Sequence, residues 1–243
     1  MDMAGTIAII GALEEETALI CGSLSGAVTH SGAGVDVTVG TLETNDGGSV
    51  RLAVTVGGMG LVNAAATTQH LIDGYHPDAV IFSGIAGNLN PSLHVNDVVL
   101  GRTLRYLDTD MRLVGQWKPG TAEFHSDESL LEVADEVLSD HGIVHIAGVI
   151  ASGNRFVDTD ELRESAREQT HADAVEMEGA AVAHVAARND VPVLVIRGLS
   201  DNADTDYEEF ADFDVSRFAN TAASVAVDIT RRWIPGGTCG IRG

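Results

Sequence analysis

Short apolar runs alternate with helical patterns along this whole chain, and that alternation most restricts what it can fold into. Ile7-Ala8-Ile9-Ile10, Val50 to Val56, Asp78 to Phe82, Asp97 to Tyr106, Ile143 to Ala151, Asp173 to Met177 and Val191 to Leu199 each read as strands. Most lack a regular polar alternation, which marks strands covered on both faces. Helical patterns fall between them: 14–24, from the glycines at 57–60 to about 73, 127–139, after Asp158, 180–187, and a last one ending near Trp233. Strands alternating with helices predict one α/β domain with a central, mainly parallel sheet. Residues 27–42, with Val35, Val37 and Val39 in alternation between glycines, predict an antiparallel ribbon, so the sheet is expected to be mixed. No linker or repeat divides the chain. A single domain over 1–235 and a loose tail over 236–243 are expected.

Local signals fill in the connections. Asn45-Asp46-Gly47-Gly48 is a turn. Ser83 to Asn88 reads as a small-residue loop, either one whose backbone N–H groups face a ligand or simply a tight crossover. Residues 109–123, with Trp117 and Pro119, are irregular and long enough to be functional or to lie at a subunit contact. Ser126 is expected to cap the helix that follows it. Asp158 is expected to cap the next, with Glu161 at the capping-box position.

Three apolar strands deliver carboxylates at or just beyond their ends. Glu16 follows the first, Asp201 follows Val193 to Ile196, and Glu176 and Glu178 flank Met177 at the end of Ala174-Val175. In open α/β sheets ligands collect beyond the carboxyl ends of the strands, so these acids make a candidate active site. Glu14, Glu15 and Glu16 also suit the positive end of a helix dipole, a reading that leaves one of them free for chemistry. Phe156, on a loop after a strand, is either core or a stacking surface for a flat ring. Gly57-Gly58-Met59-Gly60 invites a dinucleotide reading. Asn63 stands where the third glycine belongs, and no acid follows at the right distance.

Composition excludes several classes of partner. The formal charge is -22, from 36 acids against 14 bases, and Lys118 is the only lysine. Such a chain has no basic field for nucleic acid or an anionic membrane. No apolar run is long enough to span a bilayer, and the N-terminal run has no basic segment before it, so no signal peptide is expected. Cys21 and Cys239 are far apart and the nine histidines are scattered, so no metal and no cofactor is expected, and the thiols fit a reducing cytoplasm.

Taken in order, Gly11-Ala12-Leu13-Glu14-Glu15-Glu16, Ser83 to Gly87, Ser152-Gly153-Asn154, Val175-Glu176-Met177-Glu178 and Arg197-x-x-Ser200-Asp201 closely resemble the 5′-methylthioadenosine/S-adenosylhomocysteine nucleosidases of the nucleoside phosphorylase superfamily. The resemblance covers roughly residues 5–232. It implies a three-layer α/β/α domain of the phosphorylase/hydrolase type, a homodimer, and a role in methionine salvage. It implies hydrolysis of an N-ribosidic bond with release of adenine. Asp201 would be the general acid on purine N7, oriented by Ser200. Glu16 would activate the attacking water, with Arg197 nearby. Glu176 and Glu178 would both bind substrate, Glu178 at the ribose hydroxyls, with Met177 against the sugar. Phe156 would stack on adenine, the Val157 backbone would read its edge, and Ala86 and Gly87 would line the pocket. Ile85 and Asn154 depart from the usual hydroxyl residue and the usual Asp.

The chemistry asks for these residue types independently. Adenine leaves poorly until a ring nitrogen is protonated, and the sugar becomes cationic as the bond breaks. Glu16 must then be ionised while Asp201 holds a proton, with desolvation expected to raise Asp201. A phosphorylase needs cations around its phosphate, whereas the first loop here offers Glu14 to Glu16. A nucleosidase for 5′-deoxyadenosine or aminofutalosine, a purine nucleoside phosphorylase, and a non-catalytic nucleoside binder are the competing readings. The 5′ pocket, with Leu13, Tyr106 and Tyr207 as candidates, decides the substrate.

Overall fold

The computed structural model describes residues 3–203 and 216–233. The acidic segment 204–209, Tyr207 and the tail 236–243 lie outside the described residues. In chain order the strands are β1 (Met3–Gly11), β2 (Ser25–Gly32), β3 (Val35–Glu43), β4 (Ser49–Val56), β5 (Ala79–Asn88), β6 (Val98–Tyr106), β7 (Phe124–His125), β8 (His145–Ser152), β9 (Ala174–Glu176) and β10 (Val193–Asp201). The helices are α1 (Glu14–Gly22), α2 (Leu61–Tyr75), α3 (Met111–Val114), α4 (Glu128–Asp140), α5 (Asp160–Thr170), α6 (Gly179–Arg188) and α7 (Ser216–Arg232).

The sheet is mixed. Parallel pairs join β4 to β1, β1 to β5 and β5 to β10, and also β6 to β8 and β8 to β9. The ribbon β2–β3–β4 is antiparallel, as the alternating valines predict. Beyond that expectation, β10 pairs antiparallel with β6, and the end of β5 pairs antiparallel with β9. The five strands β5, β10, β6, β8 and β9 therefore close into a ring.

Helices cover both faces of the sheet. On one side Ile7, Ile9, Leu52, Ile81 and Ile196 pack under Ile20 of α1, Leu130 and Val137 of α4, and Val225 and Ile229 of α7. On the other, Ala8, Ile10, Val80, Phe82 and Val195 pack under Ala64 and Leu71 of α2 and the alanines of α6. The small side chains of α6 let it lie close against β10 and α2. Each large aliphatic side chain buried in this way contributes about 1.5–3 kcal/mol.

Three local expectations are corrected. Ser83 to Asn88 is not a loop but the second half of β5, buried and paired to β10. Its small residues serve close packing, because a Cβ at Gly84 would land on the Arg197 guanidinium and the Glu16 carboxylate. Asp127, not Ser126, caps α4, accepting from Ser129 N and Leu130 N, while Ser126 Oγ donates to the Gly101 carbonyl. Thr159, not Asp158, caps α5, its hydroxyl accepting from Leu162 N. Each neighbour is a competent cap by type, and the chain's entry angle selects between them.

Candidate active site

The carboxyl ends of β1, β5, β9 and β10 meet around one cavity of about 570 Å³. Its lining includes Glu16, Ala86, Gly87, Phe156, Val157, Glu176, Met177, Glu178, Ser200 and Asp201. Arg197 lies behind the wall, fully buried, with its guanidinium 4.0 Å from the centre of the Phe82 ring. The acids anticipated at separate strand ends thus converge on one volume, of a size suited to a small ligand.

Glu16 stands in the first turn of α1 but turns inward, while Glu14 and Glu15 stay exposed at the helix start. Its Oε2 accepts from Ala12 N at 2.5 Å and Leu13 N at 3.1 Å, and its Oε1 from Ile85 N at 3.0 Å. An ionised carboxylate offers about four acceptor positions, so one remains for a ligand or water. Burial pushes its carboxyl above the ordinary range, and Arg197 and the three backbone N–H groups pull it back. Ile85 contributes its backbone to this contact, while its side chain packs on Phe218 and Ala219 of α7.

Glu176 and Glu178 do different things. Glu176 accepts from Ser152 Oγ, Glu178 N, Gly179 N and Arg197 Nη2. Four protein donors occupy its oxygens, so the expectation that it binds substrate is corrected. It fixes Arg197 and the N-terminus of α6 instead. Glu178 caps that helix by position, yet its Oε1 accepts from Gly60 N at 2.7 Å and its Oε2 lies 3.5 Å from Arg197 Nη2. Its carboxyl is pushed up to about 7, by burial first and then by the Glu176 charge, against Arg197. Burial opposes the Arg197 charge, but Glu176, Glu16 and Glu178 outweigh it and hold the guanidinium above its usual range.

Asp201 ends β10 and lines the same cavity. Its Oδ2 accepts from Ser200 Oγ at 2.7 Å and its Oδ1 from Ala203 N at 2.7 Å. Asp201 is half-buried, whereas Glu16 and Glu178 are buried. Gly87 gives it room, since a Cβ there would sit 3.3 Å from Asp201 Oδ1 and 3.0 Å from Ala203 Cβ.

Several lining residues are given no site role by the sequence reading, among them Met59, Glu15 and Arg155. Met59 is half-exposed at the rim, Glu15 lines the mouth, and Arg155 brings a cation. Arg155 was visible in the run Ser152 to Val157, but nothing in its spacing marks it. Gly60, at φ 95°, turns the chain into α2 and aims its N–H at Glu178. Asn154 lines the cavity and its Oδ1 accepts from Leu61 N at 3.1 Å, so it serves the start of α2. Of the 5′-pocket candidates, Leu13 lines the cavity. Tyr106 does not. Its hydroxyl meets His184 Nδ1 at 3.1 Å and its ring packs edge-on against Phe124.

A mixed, helix-covered sheet that gathers carboxylates from several strand ends around one nucleoside-sized cavity defines a class of ligand-binding α/β protein. The sequence pattern of the Phosphorylase superfamily matches residues 6–235, and the chain belongs to that family. It is 37% identical over 214 residues to the 5′-methylthioadenosine/S-adenosylhomocysteine nucleosidase of Shewanella loihica, covering 86% of this chain and 90% of that relative. In structure it is similar to the nucleosidase of that name from Neisseria meningitidis in complex with methylthio-immucillin-A. The TM-score is 0.84 at 32% identity, covering 93% of this chain and 99% of that one. The futalosine hydrolase of Helicobacter pylori is also similar, with a TM-score of 0.79 at 32% identity, covering 93% and 97% of the two chains.

Proposed function

We propose that this protein hydrolyses the N-ribosidic bond of 5′-methylthioadenosine and/or S-adenosylhomocysteine, releasing adenine. The observation that carries this reading is the convergence of Glu16, Glu178 and Asp201 on one cavity. In this reading Asp201 donates a proton to purine N7, with the Ser200 hydroxyl fixing its orientation. Glu16, with three of its acceptor positions occupied by backbone, uses the remaining one to take a proton from the attacking water. Each proton transfer is worth ~10²–10⁴ in rate. Glu178 takes the ribose hydroxyls, Met177 lies against the sugar, Phe156 stacks on the base, and the Val157, Ala86 and Gly87 backbones line its edge. The buried carboxylates favour the cationic sugar of the transition state. No metal or cofactor enters the reaction.

Phosphate is disfavoured as the nucleophile, because the Arg197 guanidinium is already engaged by Glu176 and Glu178. Aminofutalosine remains the competing substrate, in keeping with the similarity to the Helicobacter pylori hydrolase. Chromatography of the purified protein with methylthioadenosine, S-adenosylhomocysteine, adenosine and inosine tests the reading. Free adenine without phosphate is expected; a product that forms only with phosphate would make the chain a phosphorylase.

The protein is further proposed to act in the cytoplasm as a homodimer. The cytoplasmic reading rests on composition; among the described residues no helix is long and apolar enough to cross a membrane. Exposed Leu113, Trp117 and Val62 support self-association, since large apolar side chains in water favour a contact. Salt should strengthen it by screening like-charged subunits. A single monomeric species in sedimentation at both low and high salt would remove the proposal.

A further inference from the structure

The charged residues in the cavity lining are mostly carboxylates: Glu15, Glu16, Glu176, Glu178 and Asp201. Arg155 lines it too and is exposed, and among the described residues it has no ion pair or hydrogen bond. Elsewhere some exposed cations are drawn into pairs, Arg112 with Asp110 at 2.6 Å and Lys118 with Asp190 at 3.0 Å, while Arg167 and Arg188 are exposed without an ion pair among the described residues but lie away from the cavity lining. What sets Arg155 apart is its place: among the described residues lining the cavity it is the one cation.

The position of Arg155 follows from its neighbour. Asn154 Oδ1 contacts Leu61 N, and the adjacent Gly60 N holds Glu178. Residues 154–155 thus lie beside Gly60 and Glu178, the residue that the nucleosidase reading assigns to the sugar. A neutral sugar substituent needs no cation there. A carboxylate would be repelled by the surrounding acids unless a guanidinium received it, and the planar fork of arginine matches that group.

We propose that Arg155 is a specificity-determining residue that receives a carboxylate carried on the 5′ arm of the substrate. The protein then prefers adenosine derivatives with an acidic 5′ substituent over those with a neutral one. The inference rests on the nucleosidase reading and deepens it.

The test compares S-adenosylhomocysteine with its carboxamide, which differ only in the carboxylate charge. Adenine release gives the ratio of kcat/KM for acid over amide in the wild type, Arg155→Ala and Arg155→Lys. A charge-assisted contact of this kind predicts a fall in that ratio of about 10- to 100-fold in Arg155→Ala, with partial recovery in Arg155→Lys. An unchanged ratio would overturn the assignment and leave Arg155 as a counter-charge to the acidic rim. Calorimetry with carbon-linked, unhydrolysable forms of the same pair separates the two claims. An Arg155-dependent preference in Kd without adenine release by the wild type would remove the catalytic reading and keep the specificity residue. Adenine release with a ratio indifferent to Arg155 would do the reverse.

Discussion

The Gly60 amide and the Glu178 carboxylate, 118 residues apart in sequence, meet at 2.7 Å. This contact joins the start of α2 to the start of α6 and aims one acid of the cavity. It also puts a negative charge at the positive end of a helix, where it is favoured. That favour does not offset burial beside Glu176, which is why the Glu178 carboxyl is pushed up to about 7.

Stability without ligand should therefore fall as pH rises from about 4.5 to about 7. The unfolded carboxyl titrates near 4.5 and the folded one near 7, so in this window the folded state binds more protons. The contribution is complete below the lower value and lost as pH passes the upper one. Glu16, also raised by burial, acts in the same direction. Thermal melts from pH 4.5 to 8 should show the decline, and Glu178→Gln should flatten it; an identical slope in the variant would contradict the assignment.

Asp201→Asn should lower adenine release by ~10²-fold or more, because the amide cannot act as the acid. Asp201 is half-buried at a strand end and its partners are Ser200 and Ala203, so the variant should melt close to the wild type. Near-normal turnover in a steady-state assay would remove Asp201 from its role.

Gly84→Ala tests the packing between two catalytic candidates. The added methyl group would occupy the space bounded by the Arg197 guanidinium and the Glu16 carboxylate, both fixed by buried contacts. Overpacking of this kind costs about 1–3 kcal/mol. Turnover should fall more than a stability change of that size explains, because Glu16 is displaced from the cavity. Parallel melts and kcat measurements decide; full activity would mean that the site relaxes freely.

Asn154 should accept Asp but not Ala. Its Oδ1 receives the Leu61 N–H at the start of α2, a place where a carboxylate is at least as good an acceptor. Asn154→Ala should lose about 1 kcal/mol in denaturant unfolding. Asn154→Asp should match the wild type, and a loss equal to that of Ala would show that the contact contributes nothing.

Much of this site is legible in the sequence because strand ends announce themselves. Ile7 to Ile10 must be buried, and whatever follows such a run emerges at the sheet's carboxyl edge. That logic finds Glu16, Glu178 and Asp201. It cannot rank Glu176 against Glu178, since both come two residues apart at the end of a short strand and only three-dimensional neighbours decide that Ser152 and Arg197 engage the former. It misreads Ser83 to Asn88, because glycine and serine weaken strand propensity while the requirement for closeness to Arg197 lies in tertiary structure. Burial of individual acids is equally invisible: Glu16 is buried and Asp201 only half-buried.

The closing of β5, β10, β6, β8 and β9 on one another bears on how this protein meets its own copies at high concentration. Strands within a ring have no unpaired rim to offer, so sheet-to-sheet growth is blocked on that side. Among the described strands β2 remains as the one long open edge. It is Ser-Gly-Ala-Val-Thr-His-Ser-Gly, with side chains exposed along nearly its whole length, and two glycines and few large apolar groups make it a poor template for aggregation.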